Sequence, residues 1–329
     1  MKPKSIKSLL ALALLAPGAL FAQTTAKTTP VGYVTEVLTA GQDNFMGLTM
    51  HSPTIAAGVL TAEAVDKVTT SGVNFTTLLA ANATYILELP DGTIQEVTSW
   101  TATELLTPQD VTAVVVPNTT TYKLRKAKSI KDVFGVTNTA GLKPSVDGGT
   151  TDADLILVPN GLGGFDTYFY YNDGVDQLWA NTDLEDKGDT ALIYTDGMIV
   201  RRRAGSVINL VVDGEVKKDP TKLVVIPGDN IVGSVYPVGV TLANTTFSTQ
   251  VIPSTDGSTG NADNILLPDG AGFLTFIYYN DGVDALWANT DLENKDLQPL
   301  TSGYIFRSRS VVNKQLNHVA PGPNYYSNL

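Results

Sequence analysis

Tyr170-Tyr-Asn-Asp-Gly-Val-Asp-Gln-Leu-Trp-Ala-Asn-Thr-Asp-Leu-Glu185 recurs as Tyr278-Tyr-Asn-Asp-Gly-Val-Asp-Ala-Leu-Trp-Ala-Asn-Thr-Asp-Leu-Glu293, with only Gln177 against Ala285 altered. In each copy an aromatic run (Thr167 to Tyr171, Thr275 to Tyr279) precedes Asn-Asp-Gly, and a second run carries Trp179 or Trp287. Alternating β-branched and aromatic residues around a turn triplet read as a β-hairpin, because glycine supplies the positive φ that a tight turn needs. The match extends upstream, where Ala153 to Gly161 answers Ala262 to Gly270, and downstream, where Gly197 to Arg203 answers Gly303 to Arg309. A spacing of about 108 residues (170 against 278) is the size of a domain, well above the roughly 20–50 residues of solenoid repeats. The expectation is two duplicated β-sandwich or barrel-like modules.

Outside the repeat the same strand chemistry continues. Val31 to Val37, Thr84 to Leu89, Val111 to Val116 and Leu223 to Ile226 are short runs rich in Val, Ile, Thr and Tyr between Gly, Asp, Asn and Pro. Asp91-Gly92 and Asp213-Gly214 are further hairpin signals. Only Ile55 to Asp66 and Thr103 to Leu106 suggest a turn or two of helix. The fold class read here is all-β: a polar tail over 23–30, an N-terminal β domain over 31–135, one module over 136–235 and its copy over 236–329. The second copy has little sequence beyond Arg309, so it either borrows a hairpin from its neighbour or is shortened.

Residues 1–22 read as a secretory signal peptide: Lys2, Lys4 and Lys7, a short apolar run from Leu9 to Ala16, and Leu20-Phe21-Ala22 before Gln23. The expectation is export, to the cell surface, the medium or the periplasm. Losing those three lysines takes the formal charge from −11 to −14, a sign that repels nucleic acid and anionic membranes. The chain has no cysteine and only His51 and His318 as histidines, so disulfides are excluded and the usual general base is scarce. It contains no nucleophile elbow, no zinc-protease motif and no glycine loop opening a helix. These absences favour a protein that works by contact over an enzyme.

Three residue groups are candidate sites. Tyr170, Tyr171, Trp179, Tyr278, Tyr279 and Trp287 suit a binding strip, for sugar rings or for another protein, or a buried aromatic core. Asp173, Asp176, Asp183, Asp281, Asp284 and Asp291 are hard oxygen ligands of the kind calcium takes, although aspartates in turns more often cap backbone N–H groups. Arg201, Arg203, Arg307 and Arg309 alternate along strands, so each pair shares a face and is available for pairing between modules or subunits.

The signal peptide, Val31-Gly-Tyr-Val34, the Ile-Lys-Asp-Val-Phe-Gly run ending at Gly135 and the repeated YYNDGVDxLW signature together resemble a family of exported bacterial β-rich proteins known mostly from genome sequencing. The resemblance implies export and a β-rich build over nearly the whole mature chain, and carries over no catalytic or binding residue. The reading is a secreted or cell-surface structural and interaction protein that assembles with itself through strand edges. A carbohydrate-binding protein using the Tyr/Trp hairpins is the alternative, and a glycan-active enzyme a remoter one.

Overall fold

A computed structural model describes residues 30–322, apart from 204 and 238. The signal peptide and most of the polar tail lie outside the described residues. Among the described residues the chain is all-β, with antiparallel sheets and only short helical turns.

Fourteen strands make two sets of seven. The first set is β1 (Val31–Leu38), β2 (Asp43–Met46), β3 (Leu155–Pro159), β4 (Phe165–Asn172), β5 (Gln177–Ala180), β6 (Met198–Arg201) and β7 (Ile208–Glu215). The second is β8 (Thr221–Val225), β9 (Gly228–Gly233), β10 (Asn264–Asp269), β11 (Gly272–Asn280), β12 (Ala285–Ala288), β13 (Gly303–Ser308) and β14 (Lys314–His318). The first builds a five-stranded sheet in the order β5-β4-β3-β6-β2 and a ribbon β1-β7. The second builds β12-β11-β10-β13-β9 and a ribbon β8-β14. The same order of pairings therefore occurs twice.

The repeated signature forms the expected hairpins. Tyr170 lies opposite Trp179 and Tyr278 opposite Trp287. At each turn a glycine takes positive φ (Gly174, 92°; Gly282, 90°). Asp173 Oδ1 accepts the N–H groups of Val175 and Asp176, and Asp281 does the same for Val283 and Asp284. These bonds satisfy the backbone donors that a tight turn leaves open.

The domain boundaries expected at 135 and 235 do not coincide with the pairing. β1 and β2, expected in the N-terminal domain, pair with β7 and β6. β8 and β9, expected at the end of the first copy, pair with β14 and β13. Within the bounds expected from the sequence, the second set thus takes the hairpin β8–β9 from the stretch assigned to its neighbour, and β14 supplies the partner of β8. A run of strand residues does not state its partner, and residues inserted between β2 and β3 separate the first set from its own beginning.

That insertion is a small barrel. Its strands run in the order Ile94–Val97, Tyr85–Glu88, Thr121–Lys126, Thr54–Ala64, Lys67–Thr70, Glu104–Leu106 and Ser99–Trp100. Only Thr98 separates the first of these from the last, so the sheet closes on itself around Leu60, Phe75, Leu87, Tyr122 and Leu124. The two stretches expected to turn helical, Ile55 to Asp66 and Thr103 to Leu106, are strand instead. The alanine-rich propensity of the first yields to ladder pairing on both its sides, and the second is paired on both sides as well.

One core runs through both strand sets. It contains Trp179, Val200 and Leu210 from the first, and Trp287, Phe306 and Leu316 from the second. Where the sets meet, backbones approach closely at four glycines. A Cβ on Gly47 would lie within 3.0 Å of Ser302 O, and one on Gly233 within 3.0 Å of Tyr194 O. Gly303 and Gly197 are as tight against Met46 and Val232. The crossed contacts make a local pseudo-twofold, in which β1 corresponds to β8 and Tyr194 to Ser302.

Candidate functional site

The aromatic candidates belong mainly to the core. Trp179 is 2% exposed and Trp287 1%, while Tyr170 is buried and Tyr171, Tyr278 and Tyr279 are partly so. Trp179 Nε1 donates to Gly135 O at 2.8 Å, and its ring packs edge-on to Tyr170 with centroids 5.1 Å apart. Neither tryptophan faces solvent, so neither ring is presented for stacking on a ligand. Tyr171 and Tyr279 each donate a hydroxyl hydrogen bond to the turn aspartate, Asp173 or Asp281.

The aspartates do not converge. Among the described residues no three acidic or histidine side chains form a group able to hold a metal ion. Asp173 and Asp281 cap their turns, and Asp176, Asp183, Asp284 and Asp291 are exposed.

The arginines pair within their own strand sets. Arg201 makes a bidentate contact with Asp43 (2.7 and 2.8 Å) and Arg307 with Asp229 (2.6 and 2.9 Å). Arg203 reaches the carbonyls of Ala153 and Thr150, and Arg309 that of Thr259. A signal in the sequence marks these pairs: Asp43-Asn-x-x-Gly47 recurs as Asp229-Asn-x-x-Gly233. Asn44 and Asn230 bond the preceding turn in the same way.

Two buried polar clusters escape any sequence reading, since their members are far apart in the chain. Asp154 accepts from Arg202 Nε at 2.7 Å and from the backbone of Lys143 and Arg203. Its counterpart Asp263 accepts from the backbone of Ile252 and Arg309, but its cation is Lys314, because Ser308 follows Arg307 where Arg202 follows Arg201. The carboxylate has stayed and the counterion has moved, as a buried charge requires.

The second cluster joins the barrel to the strand sets. Arg125 Nη1 lies 2.5 Å from Glu215, and its Nε lies 3.1 Å from Glu88. Glu88 also takes Tyr194 Oη at 2.8 Å and Lys217 Nζ at 3.3 Å. Burial alone would raise the Glu88 carboxyl, but Lys217 and Arg125 hold it down at about 2. Beside them His51 packs edge-on against Tyr194, and burial lowers its imidazole to about 3.

Among the described residues, the outer edge of β1 is an open strand edge. Val216 N–H bonds Pro30 O, while Glu215 N–H turns away to His51 O. Antiparallel alternation therefore aims the backbone groups of Val31, Tyr33, Thr35 and Val37 outward. Among the described residues no backbone group bonds them on that side. Tyr33 is 71% exposed, and Val31 and Val37 are exposed as well.

A cleft of about 490 Å³ runs beside this edge, lined by Tyr33, Glu36, Thr49, Ser234, Pro237 and Ser302. Glu36 accepts from Ser302 Oγ at 2.8 Å, and burial raises its carboxyl. Thr49 is 2% exposed, and its hydroxyl has no partner among the described residues.

Comparisons with family models, curated proteins and solved structures find no match for this chain.

Proposed function

We propose that this chain is an exported, non-catalytic structural and interaction protein of the cell surface or medium, which associates with copies of itself through the outer edge of β1. The observation that carries the reading is that edge: eight residues long, apolar on its exposed face, and unpaired on one side among the described residues. Such edges template the addition of another strand, and proteins that must stay monomeric blunt them with charge, proline or a covering loop. No charged residue stands among Val31, Tyr33, Thr35 and Val37. The acidic mature chain keeps such a protein soluble between encounters, and among the described residues no helix is long and apolar enough to cross a membrane.

Size-exclusion chromatography with light scattering, and electron microscopy, test the reading on the mature chain with and without calcium. The wild type is expected to associate. Thr35→Pro, which removes an outward N–H and leaves the β1–β7 ladder intact, is expected to be monomeric with an unchanged circular dichroism spectrum. A wild type that is monomeric at every concentration, with and without calcium, overturns the proposal.

A further inference from the structure

The pseudo-twofold shows what the cleft beside β1 is shaped to receive. Equivalent hydrogen bonds align Thr39 with Ile226 ahead of the matched asparagines, which places Thr35 of β1 opposite Lys222 of β8 in the correspondence, and Glu36 opposite Leu223. On the β8 side the groove is filled. The hairpin tip of the inserted barrel lies along the strand, and Lys222 N–H bonds Gly92 O at 2.8 Å. Lys222 Nζ pairs with Asp91, and Tyr194 closes the floor by bonding Glu88. On the β1 side the short stretch 234–240 stands where the first set carries the barrel. There the equivalent N–H, that of Thr35, has no backbone acceptor among the described residues, and serine (Ser302) stands in place of Tyr194. Glu36 occupies the place of the buried Leu223. A carboxyl group at an apolar strand position, an unpartnered buried hydroxyl on Thr49 and an open strand edge thus line one groove, whose mate already holds a hairpin turn of the same chain, bonded to the strand through its backbone.

We propose that the cleft beside β1 is a docking groove for an extended segment of a second copy of this chain, and that the segment is Gln23–Thr29. This rests on the edge reading above and names its partner. Gln23-Thr-Thr-Ala-Lys-Thr-Thr29 contains four threonines, which favour extended backbone, one cation, Lys27, and no acid. It complements a groove whose one charged side chain is Glu36. Backbone pairing to Thr35 repeats the bond that Gly92 makes to Lys222, and Lys27 or a threonine hydroxyl meets Glu36, Ser302 and Thr49.

The test uses a chain beginning at Pro30, which retains the whole described fold, and a fluorescent synthetic peptide of residues 23–30. The peptide is expected to bind this chain. Binding is expected to weaken at least tenfold in Ser302→Tyr, which installs the side chain found on the filled side, and in Glu36→Leu, which installs the other matched residue. Circular dichroism confirms that each variant is folded, and the two reach the groove from different walls. The full mature chain is expected to self-associate, and the chain from Pro30 to be monomeric. Failure of the peptide to bind, or equal binding by folded Ser302→Tyr and Glu36→Leu, overturns the proposal. So does a monomeric full chain, which would mean that its own tail fills the groove. If self-association survives removal of 23–29 but is lost in Thr35→Pro, the edge reading stands and the docking segment is wrong.

Discussion

His51 and His318 are both fully enclosed, and burial lowers each imidazole from its usual value to about 3. The unfolded chain binds a proton at each below about pH 6.5, whereas the folded chain does not until about pH 3, so stability falls as pH falls through that window. Two such groups give a slope of up to about 2.7 kcal/mol per pH unit between pH 6 and 4. Glu88, held low beside Lys217 and Arg125 once burial is overcome, adds loss in the same direction below about pH 4.5. Glu36, raised by burial, works against the trend, and so does Asp196, raised by desolvation to about 6, so the net slope is smaller than the histidines alone would give. Urea titrations at stepped pH should show this net slope, and His318→Phe, whose ring fits between Tyr236 and Phe247, should remove about half of the histidines' share of it. The same pH dependence from 6 to 4 in His318→Phe as in the wild type would contradict the burial of that ring.

At the scale of elements, the fold depends on strands that touch through glycine. Gly47 and Gly233 have no room for a methyl group, because carbonyl oxygens of Ser302 and Tyr194 occupy the space. Gly47→Ala and Gly233→Ala are each expected to cost about 1–3 kcal/mol in denaturant unfolding. Thr182→Ala, on an exposed loop of the repeated signature, should stay within about 0.5 kcal/mol of wild type. Equal effects from the three substitutions would mean that the sheets do not meet at these glycines. The hairpins themselves were legible from Asn-Asp-Gly and the flanking aromatics. The role of the glycines was not, since close approach depends on the partner strand.

For the whole molecule, the Glu88–Arg125–Glu215–Lys217 cluster is the polar joint between barrel and strand sets. Removing one member leaves uncompensated buried charge, so Arg125→Leu is expected to destabilise by about 3–5 kcal/mol. Calorimetry should show a single transition in the wild type and two in the variant, as the barrel, with its separate core, uncouples. One unchanged transition would mean that the remaining contacts, Lys222 with Asp91 and Lys123 with Asp219 among them, suffice to couple the two.

Local chemistry in the sequence determined the all-β class, the repeated hairpins, the capping of their turns by Asp173 and Asp281, and the absence of cysteine chemistry. These follow from residue type and near-neighbour spacing, which a linear chain displays in full. Only the tertiary structure decided that β1 and β2 belong with β6 and β7, that a barrel interrupts the first strand set, and that the tryptophans face inward. It also decided which strand edge is covered by Gly92 and which is open at Thr35. Each of those depends on which distant segment supplies a partner, and hydrogen-bond pairing and burial are settled in space, where residues as far apart as Glu36 and Ser302 become neighbours.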